Sequence, residues 1–346
     1  MEGSAPPDFW RMNQMQQIAA VFGHVPVLAM LHRRGVSLED TALTLAAMHG
    51  QVGACAVLLR DERVLQAIRR GDDTAIAQAI AYGRADVLDT LLSVEGVSLD
   101  PISWRGAHQP GIFMQLAAMT NSIDIIKLLL DHGLPVDATS DPPDAPANTV
   151  PLTALAIAAK SNFYDLAKLL LERGASVCSE AAVRSAFKSC MNATLKDYAL
   201  DPTARVEMLR LLVKARPDEC TFDERDGCRD AVILATVQPG SDLLRFLLDE
   251  ANASPNQTDG STRATALHYV IVDDQLPLDR KLSVLGLLID HDAELHTART
   301  TDSSEHGFPA GVTPYEALDY APSPQRAKLQ EFVDARVALR EPRREA

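Results

Sequence analysis

Pro151-Leu-Thr-Ala-Leu-Ala-Ile-Ala-Ala-Lys-Ser-Asn-Phe-Tyr-Asp-Leu-Ala-Lys-Leu-Leu-Leu-Glu-Arg-Gly-Ala175 contains two short helical phrases separated by Ser161 and Asn162. In the first, the run Ala154 to Ala159 is built of small side chains, which allow a helix to approach its neighbours closely. In the second, Leu166, Leu169 and Leu170 fall at i, i+3 and i+4 and share one face. Two helices this short cannot bury both of their faces against each other. Stacked copies can, and the core then runs through the stack.

Copies are present. Phe113-Met-Gln-Leu-Ala-Ala-Met-Thr-Asn-Ser-Ile-Asp-Ile-Ile-Lys-Leu-Leu-Leu-Asp-His-Gly133 repeats the phrase, and second-helix anchors recur at Met30, Leu58, Leu91, Leu129, Leu170, Leu211, Leu247 and Leu288, with a degenerate ninth at Phe332. Their spacings run from 28 to 44 residues. Between the paired helices stand Gly23, Gly50, Gly83, Asn121 and Asn162. Glycine and asparagine are the residues that tolerate a left-handed backbone, so each pair is expected to turn through one such residue.

These phrases resemble ankyrin repeats. Thr265-Ala-Leu-His268 is similar to that family's Thr-Pro-Leu-His phrase, and Val312-Thr-Pro-Tyr315 matches its first part. The resemblance implies an all-α, ankyrin-repeat solenoid of stacked helix-turn-helix units with long connecting loops, in eight or nine degenerate copies over about residues 15–335. On this reading Thr265 caps a first helix and His268 carries hydrogen bonds between neighbouring units. The family period is about 33 residues, so most units from Leu91 onward hold extra residues, which belong in loops. Long connections at 99–111, 136–150, 218–229, 255–263 and 296–312 fall where the family has projecting hairpins. Two further insertions, 191–203 and 272–280, lie inside units. Leu65-Gln-Ala-Ile-Arg-Arg-Gly71 has the pattern of a helix of its own. The expected domain plan is an N-terminal tail over 1–8, one solenoid over 9–335 and a polar arginine-rich tail over 336–346.

Composition narrows the function. The net charge is −14, from 33 basic and 47 acidic residues, and such a field opposes a phosphate backbone. Neither nucleic acid nor membrane is an expected partner, since no apolar stretch reaches spanning length and no signal-peptide pattern opens the chain. Five cysteines without a C-x-x-C spacing read as free thiols of a reducing compartment. The expected location is cytoplasmic, with an arginine-rich C-terminus also compatible with the nucleus. No nucleophile elbow, H-E-x-x-H, phosphate-binding loop or dinucleotide fingerprint occurs. The run Asp223 to Asp230 fails as a calcium loop because Phe222 and Ile233 stand where carboxylates are required. His24, His32, His49, His132 and His291 follow the repeat and read as turn and helix-end residues rather than one metal site.

The expected function is therefore a non-enzymatic adaptor or scaffold without a cofactor, binding a protein partner through loop tips and the concave helical face. The alternative is a solenoid whose groove binds a small molecule or serves a biosynthetic step. Candidate partner contacts are Trp104, Arg105 and His108 in one long connection, where Trp and Arg suit anchoring roles. Asp137, Asp141 and Asp144 in the next are either a proline-stiffened solvated loop or an acidic contact for a basic peptide. Phe222 and Arg225 in a third complete the set.

Overall fold

The computed structural model describes residues 7–70, 74–97, 99, 111–139, 153–176, 202–215, 231–237, 240–259, 262–296, 300–301 and 309–344. The chain divides into two compact units, Met1–Ser176 and Val177–Ala346. Both are helical, and among the described residues the only strand-like pairing is one antiparallel bridge between Thr258 and Thr265.

The first unit holds α1 (Pro7–Val21), α2 (Val25–Arg33), α3 (Asp40–Met48), α4 (Val52–Leu58), α5 (Glu62–Arg69), α6 (Thr74–Ala81), α7 (Ala85–Leu92), α8 (Gly111–Met119), α9 (Ile123–Asp131), α10 (Ala154–Lys160) and α11 (Tyr164–Glu172). They stack in two rows. The first helices α1, α3, α6, α8 and α10 pack each on the next, and behind them the second helices α2, α4, α7 and α9 do the same. Alanine is concentrated in the first row, which also buries Leu43, Ile76, Ile80, Phe113 and Met114. The first row buries Ala42, Ala46, Ala47, Ala79, Ala117, Ala118, Ala156 and Ala158, while the second buries Leu28, Leu58, Leu88, Leu91, Ile126, Leu129, Leu166 and Leu170. Small residues bring neighbouring first helices close, and the branched residues of the second row fill the space between the layers.

Each pair of helices turns where the sequence places a permissive residue. Gly23, Gly50, Gly83, Asn121 and Asn162 all have positive φ, from 52° at Asn121 to 74° at Gly50. A second left-handed residue ends the second helix: Gly35, Gly133 and Gly174 in this unit, Asn252 and Asp292 in the other. There the chain closes a Schellman-type turn, with Leu134 N–H on Leu129 C=O at 3.1 Å and Ala175 N–H on Leu170 C=O at 2.9 Å.

Helix α5 is an addition to the two-row pattern. The Asp61 carboxylate caps it, accepting Arg63 N–H at 3.0 Å, and the same carboxylate accepts Leu38 N–H at 3.1 Å. Val64 and Ile68 bury the apolar side of α5. At its far end Arg69 Nε donates to Glu95 C=O at 2.9 Å. A helix thus occupies the loop rim and links the turn before α3 to the turn after α7.

The second unit holds α12 (Pro202–Ala215), α13 (Ala231–Val237), α14 (Asp242–Arg245) running into a π-turn (Phe246–Glu250), α15 (Ala266–Val272), α16 (Leu278–Asp290), a 3-10 turn (Glu316–Tyr320) and α17 (Ser323–Arg344). Here too first helices contact first helices, α13 against α15 and α15 against the 3-10 turn, and α16 packs on α17. Gly286 permits that last contact, since a Cβ there would stand 3.2 Å from Arg336 Nη2 and 3.4 Å from Phe332 Cζ. Helix α17 runs on to Arg344, past the expected boundary at 335. Arg336 is held by Asp290 and lies over the Phe332 ring, 5.4 Å from its centroid. The insertion after Val272 is a short turn, closed by Lys281 from the first turns of α16, whose Nζ donates to Ile271 C=O at 3.1 Å. Lys281 is fully buried, and burial lowers its pKa against the opposing pull of Asp273 and Asp274.

Candidate functional site

Where one repeat meets the next, polar side chains act as rungs. In the first unit two residues that follow a left-handed turn reach back to the preceding first helix: Gln51 Nε2 donates to Val21 C=O at 3.1 Å, and Arg84 Nε donates to Met48 C=O at 3.2 Å. Both acceptors are final carbonyls of their helices, which have no partner within the helix. The rung side chains lie across the earlier turn. A Cβ at Gly23 would sit 2.2 Å from Gln51 Oε1, and one at Gly50 would sit 3.1 Å from Arg84 Cδ. At these two joints a side chain would strain the left-handed backbone and also displace the rung. At Asn162 and Asn121, where the left-handed backbone is the main demand, asparagine suffices.

Loop rungs share a second register. Asp137, four residues after Gly133, accepts Ser176 N–H at 3.0 and 3.1 Å on its two oxygens. Asn256, four residues after Asn252, accepts Glu294 N–H at 2.7 Å and donates to Asp292 C=O at 3.3 Å. Asp137 is half-buried, and its carboxylate joins successive turns of the stack. The other candidate contacts, Trp104, Arg105, His108, Asp141, Asp144, Phe222 and Arg225, lie outside the described residues.

His268 is fully buried at such a junction. Its Nδ1 accepts Thr265 N–H at 3.0 Å, and its Nε2 lies 3.1 Å from Val312 C=O in the following repeat. That pair of contacts defines a neutral imidazole carrying its proton on Nε2. Burial pushes its pKa below the ordinary histidine value. Further along, Thr313 and Glu316 close a reciprocal cap, with Thr313 N–H on Glu316 Oε2 at 2.8 Å and Glu316 N–H on Thr313 Oγ1 at 3.2 Å. Two other histidines close helices: Nδ1 of His132 and of His291 each lies 2.8 Å from the carbonyl four residues back. Among the described residues no group of three His, Cys, Asp or Glu converges as a metal site would require.

The outward face of the first unit carries a feature that sequence reasoning missed. The residues just before three successive left-handed turns are Phe22, His49 and Tyr82, and all three are exposed, Phe22 at 66 % and Tyr82 at 53 %. They hold one register on the packed helices α1, α3 and α6 and so form a row along one edge. Met119, 65 % exposed at the end of α8, stands one residue before that register, which Thr120 occupies. The signal was present, since each ring precedes a turn glycine that the sequence had already marked. At the opposite ends of these helices two open clefts, of about 300 and 360 Å³, are lined from Ser37 to Val64 and Ala67 and from Gln17 to Thr74.

A family model described as ankyrin repeats (3 copies) matches residues 108–181. Over that stretch the chain matches ankyrin repeats. The matched stretch contains the α8–α9 and α10–α11 pairs, with the left-handed joints at Asn121 and Asn162 and the rung from Asp137 to Ser176. Among solved structures, a crystal structure of the human ASB11 ankyrin repeat domain is similar at 21 % identity, over 67 % of this chain and 96 % of that one, with a TM-score of 0.47. No curated protein matches the chain. Ankyrin repeats are generally protein-interaction modules, and no helix among the described residues is long and apolar enough to cross a membrane.

Proposed function

We propose that this chain is a non-enzymatic adaptor or scaffold that holds a protein partner on its repeat stack. The observation carrying this reading is the exposed row of Phe22, His49 and Tyr82 at one register of three consecutive repeats, with Met119 one residue short of that register in the next. Aromatic and methionine side chains are what interfaces recruit, because they bury a large area at small conformational cost. A row repeated at the spacing of the helices suits an extended partner better than a compact ligand. The neighbouring polar groups are committed to the stack, as Gln51 and Arg84 illustrate. The long connections, with Trp104, Arg105, His108, Asp141, Asp144, Phe222 and Arg225, are proposed to add partner contacts of their own, as is Asp137.

The test is affinity capture from native cells with the intact chain, a Phe22→Ala/Tyr82→Ala variant and a Trp104→Ala/Arg105→Ala variant. A protein retained in stoichiometric amount by the intact chain and lost from the first variant supports the reading. Retention of a metabolite with no protein would overturn it.

A further inference from the structure

Helix α1 stands at one end of its row, yet it is composed like a helix from the middle. Residues 12–31, which cover most of α1 and α2, contain no Asp, Glu, Lys or Arg, and neither do residues 41–59, which cover most of α3 and α4. For α3 and α4 that composition suits the surroundings, since α1 and α6 flank the one and α2 and α7 the other. Among the described residues α1 has only α3 beside it in the first row. A repeat at the end of a stack needs a polar outer face to stay in water. Helix α17 of the second unit has one, exposing Lys328, Glu331 and Asp334. The outer face of α1 is apolar instead.

The contacts on the inner side define that face. Asn13 Nδ2 donates to Glu39 Oε1, Gln16 Nε2 donates to Ser37 C=O at 2.9 Å, and Ala19 and Ala20 are buried. On the opposite side of the helix Arg11, Met15, Ile18 and Phe22 are exposed, with Met12 at their edge. Their spacing of four, three and four residues is that of the a and d positions of a heptad seam, the pattern on which a second helix packs along its length. An extended segment repeats every two residues and would not keep that register. The four apolar side chains, from Met12 at 38 % to Phe22 at 66 % exposed, present on the order of 400 Å² together, a patch of the size that marks an interaction site.

From this we infer that α1 pairs with α1 of a second copy of this chain, antiparallel about a two-fold axis. The stripe complements itself in that orientation. With Met15 of each copy against Ile18 of the other, Arg11 of each falls opposite Phe22 of the other, where a guanidinium stacks on a ring face. The two Arg11 side chains then stand about 16 Å apart along the axis, at 1.5 Å per residue. A parallel pair would set Arg11 against Arg11. Charge selects the same end of the chain. Residues 1–38 hold Glu2 and Asp8 against Arg11, Arg33 and Arg34, a net +1, so the other 308 residues carry −15 and repel their copies. Two copies bury about 800 Å² at the seam and roughly 1,200 Å² with the flanking polar side chains, the lower edge of specific interfaces, so the pairing is weak and reversible. Phe22 belongs both to this seam and to the row proposed for the partner, whereas Met15 and Ile18 belong to the seam alone.

The test is sedimentation velocity of the full chain in reducing buffer, from about 1 to about 200 µM. A reversible monomer–dimer equilibrium is expected, with a Kd of about 10–100 µM for an interface of this size. Met15→Glu/Ile18→Glu and Met15→Lys/Ile18→Lys should each weaken it at least about tenfold, because like charges then meet across the seam. An equimolar mixture of the two variants should pair again, more tightly than either alone, since each carboxylate now faces an ammonium. A misfolded helix could not give that rescue, and unchanged circular dichroism melts check the fold separately. Hydrogen exchange should slow in α1 as concentration rises through this range and stay constant in α9. A chain that is monomeric at about 200 µM, a dimer that both variants leave intact, polymers larger than a dimer, or variants that do not pair when mixed would overturn the inference. Capture of a cellular partner by a monomeric chain leaves the adaptor reading standing, and a dimer without any cellular partner leaves only the pairing.

Discussion

His268 places a titratable group where only its neutral form fits. Protonating Nδ1 would turn the acceptor for Thr265 N–H into a donor facing a donor. The folded pKa lies below the unfolded value of 6.5. Below pH 6.5 the unfolded chain therefore takes up a proton that the native chain refuses, so stability is complete above 6.5 and falls as the pH drops toward the folded pKa. Urea unfolding should show a lower midpoint at about pH 5.5 than at about pH 7.5, and the difference should shrink in His268→Leu. At neutral pH that substitution should cost about 2–4 kcal/mol, because it strands a buried N–H and a buried C=O. Lys281 behaves differently. Its burial penalises the charge, so Lys281→Met should change stability by less than about 1.5 kcal/mol, while Lys281→Glu, which buries a carboxylate against the Ile271 carbonyl oxygen and near Asp273 and Asp274, should cost more than about 3 kcal/mol. Cys55 is buried, and burial pushes its thiol up to about 12. Native chain should leave Cys55 unlabelled by a maleimide until urea opens it, as peptide mass mapping would show.

At the scale of the element, the joint residue decides how two helices meet. Asn162 has φ 55°, and its buried Oδ1 has no hydrogen-bond partner. Asn162→Gly keeps the backbone and removes the stranded oxygen at the entropic cost of glycine, so its net effect should stay within about 0.5 kcal/mol. Asn162→Ala must hold an alanine in the left-handed region and should lose about 1–2 kcal/mol in thermal or urea unfolding. These joints were legible in the sequence because the property that matters, tolerance of positive φ, belongs to the residue itself. The same holds for Thr265 and His268, whose spacing carries the cap, and for the helix at Leu65, whose apolar positions suffice to announce it. The rungs were not legible. Gln51 and Val21 are 30 residues apart and Arg84 and Met48 36 apart, and no local pattern tells which polar side chain after a turn will be long enough to reach back. Asp137 shows the same limit. As a loop acid it could face solvent or a partner, and only the folded turn brings Ser176 N–H to it.

Across the whole molecule, stability is shared between nearest neighbours, as in any repeat stack. Within the first unit α3, α6 and α8 are covered by a first helix on each side, whereas Met12, Met15, Ile18 and Phe22 leave one face of α1 exposed. Native-state hydrogen exchange should therefore be slowest in α3 and α6 and faster in α1 by at least about tenfold, a difference of one lost interface. Equal protection in α1 and α3 would contradict a nearest-neighbour account. The class of fold was readable from the anchors Met30 to Leu288, since the period is a global property written many times over. The division into two compact units was not readable, because the phrase continues on both sides of Ser176 and nothing in its periodicity marks the change.

The backward-reaching rungs also make the stack editable. Two neighbouring repeats bring their own fastener, Gln51 and Arg84, placed just past the turn, and each recognises a bare carbonyl rather than a particular side chain. If Gln51 to Gly83 were excised, Arg84 would follow Gly50 directly and inherit Val21 C=O as its acceptor. The cut would reseal with a fastener of the same kind, and a gene that gained or lost such a module by unequal crossing-over would still encode a closed seam.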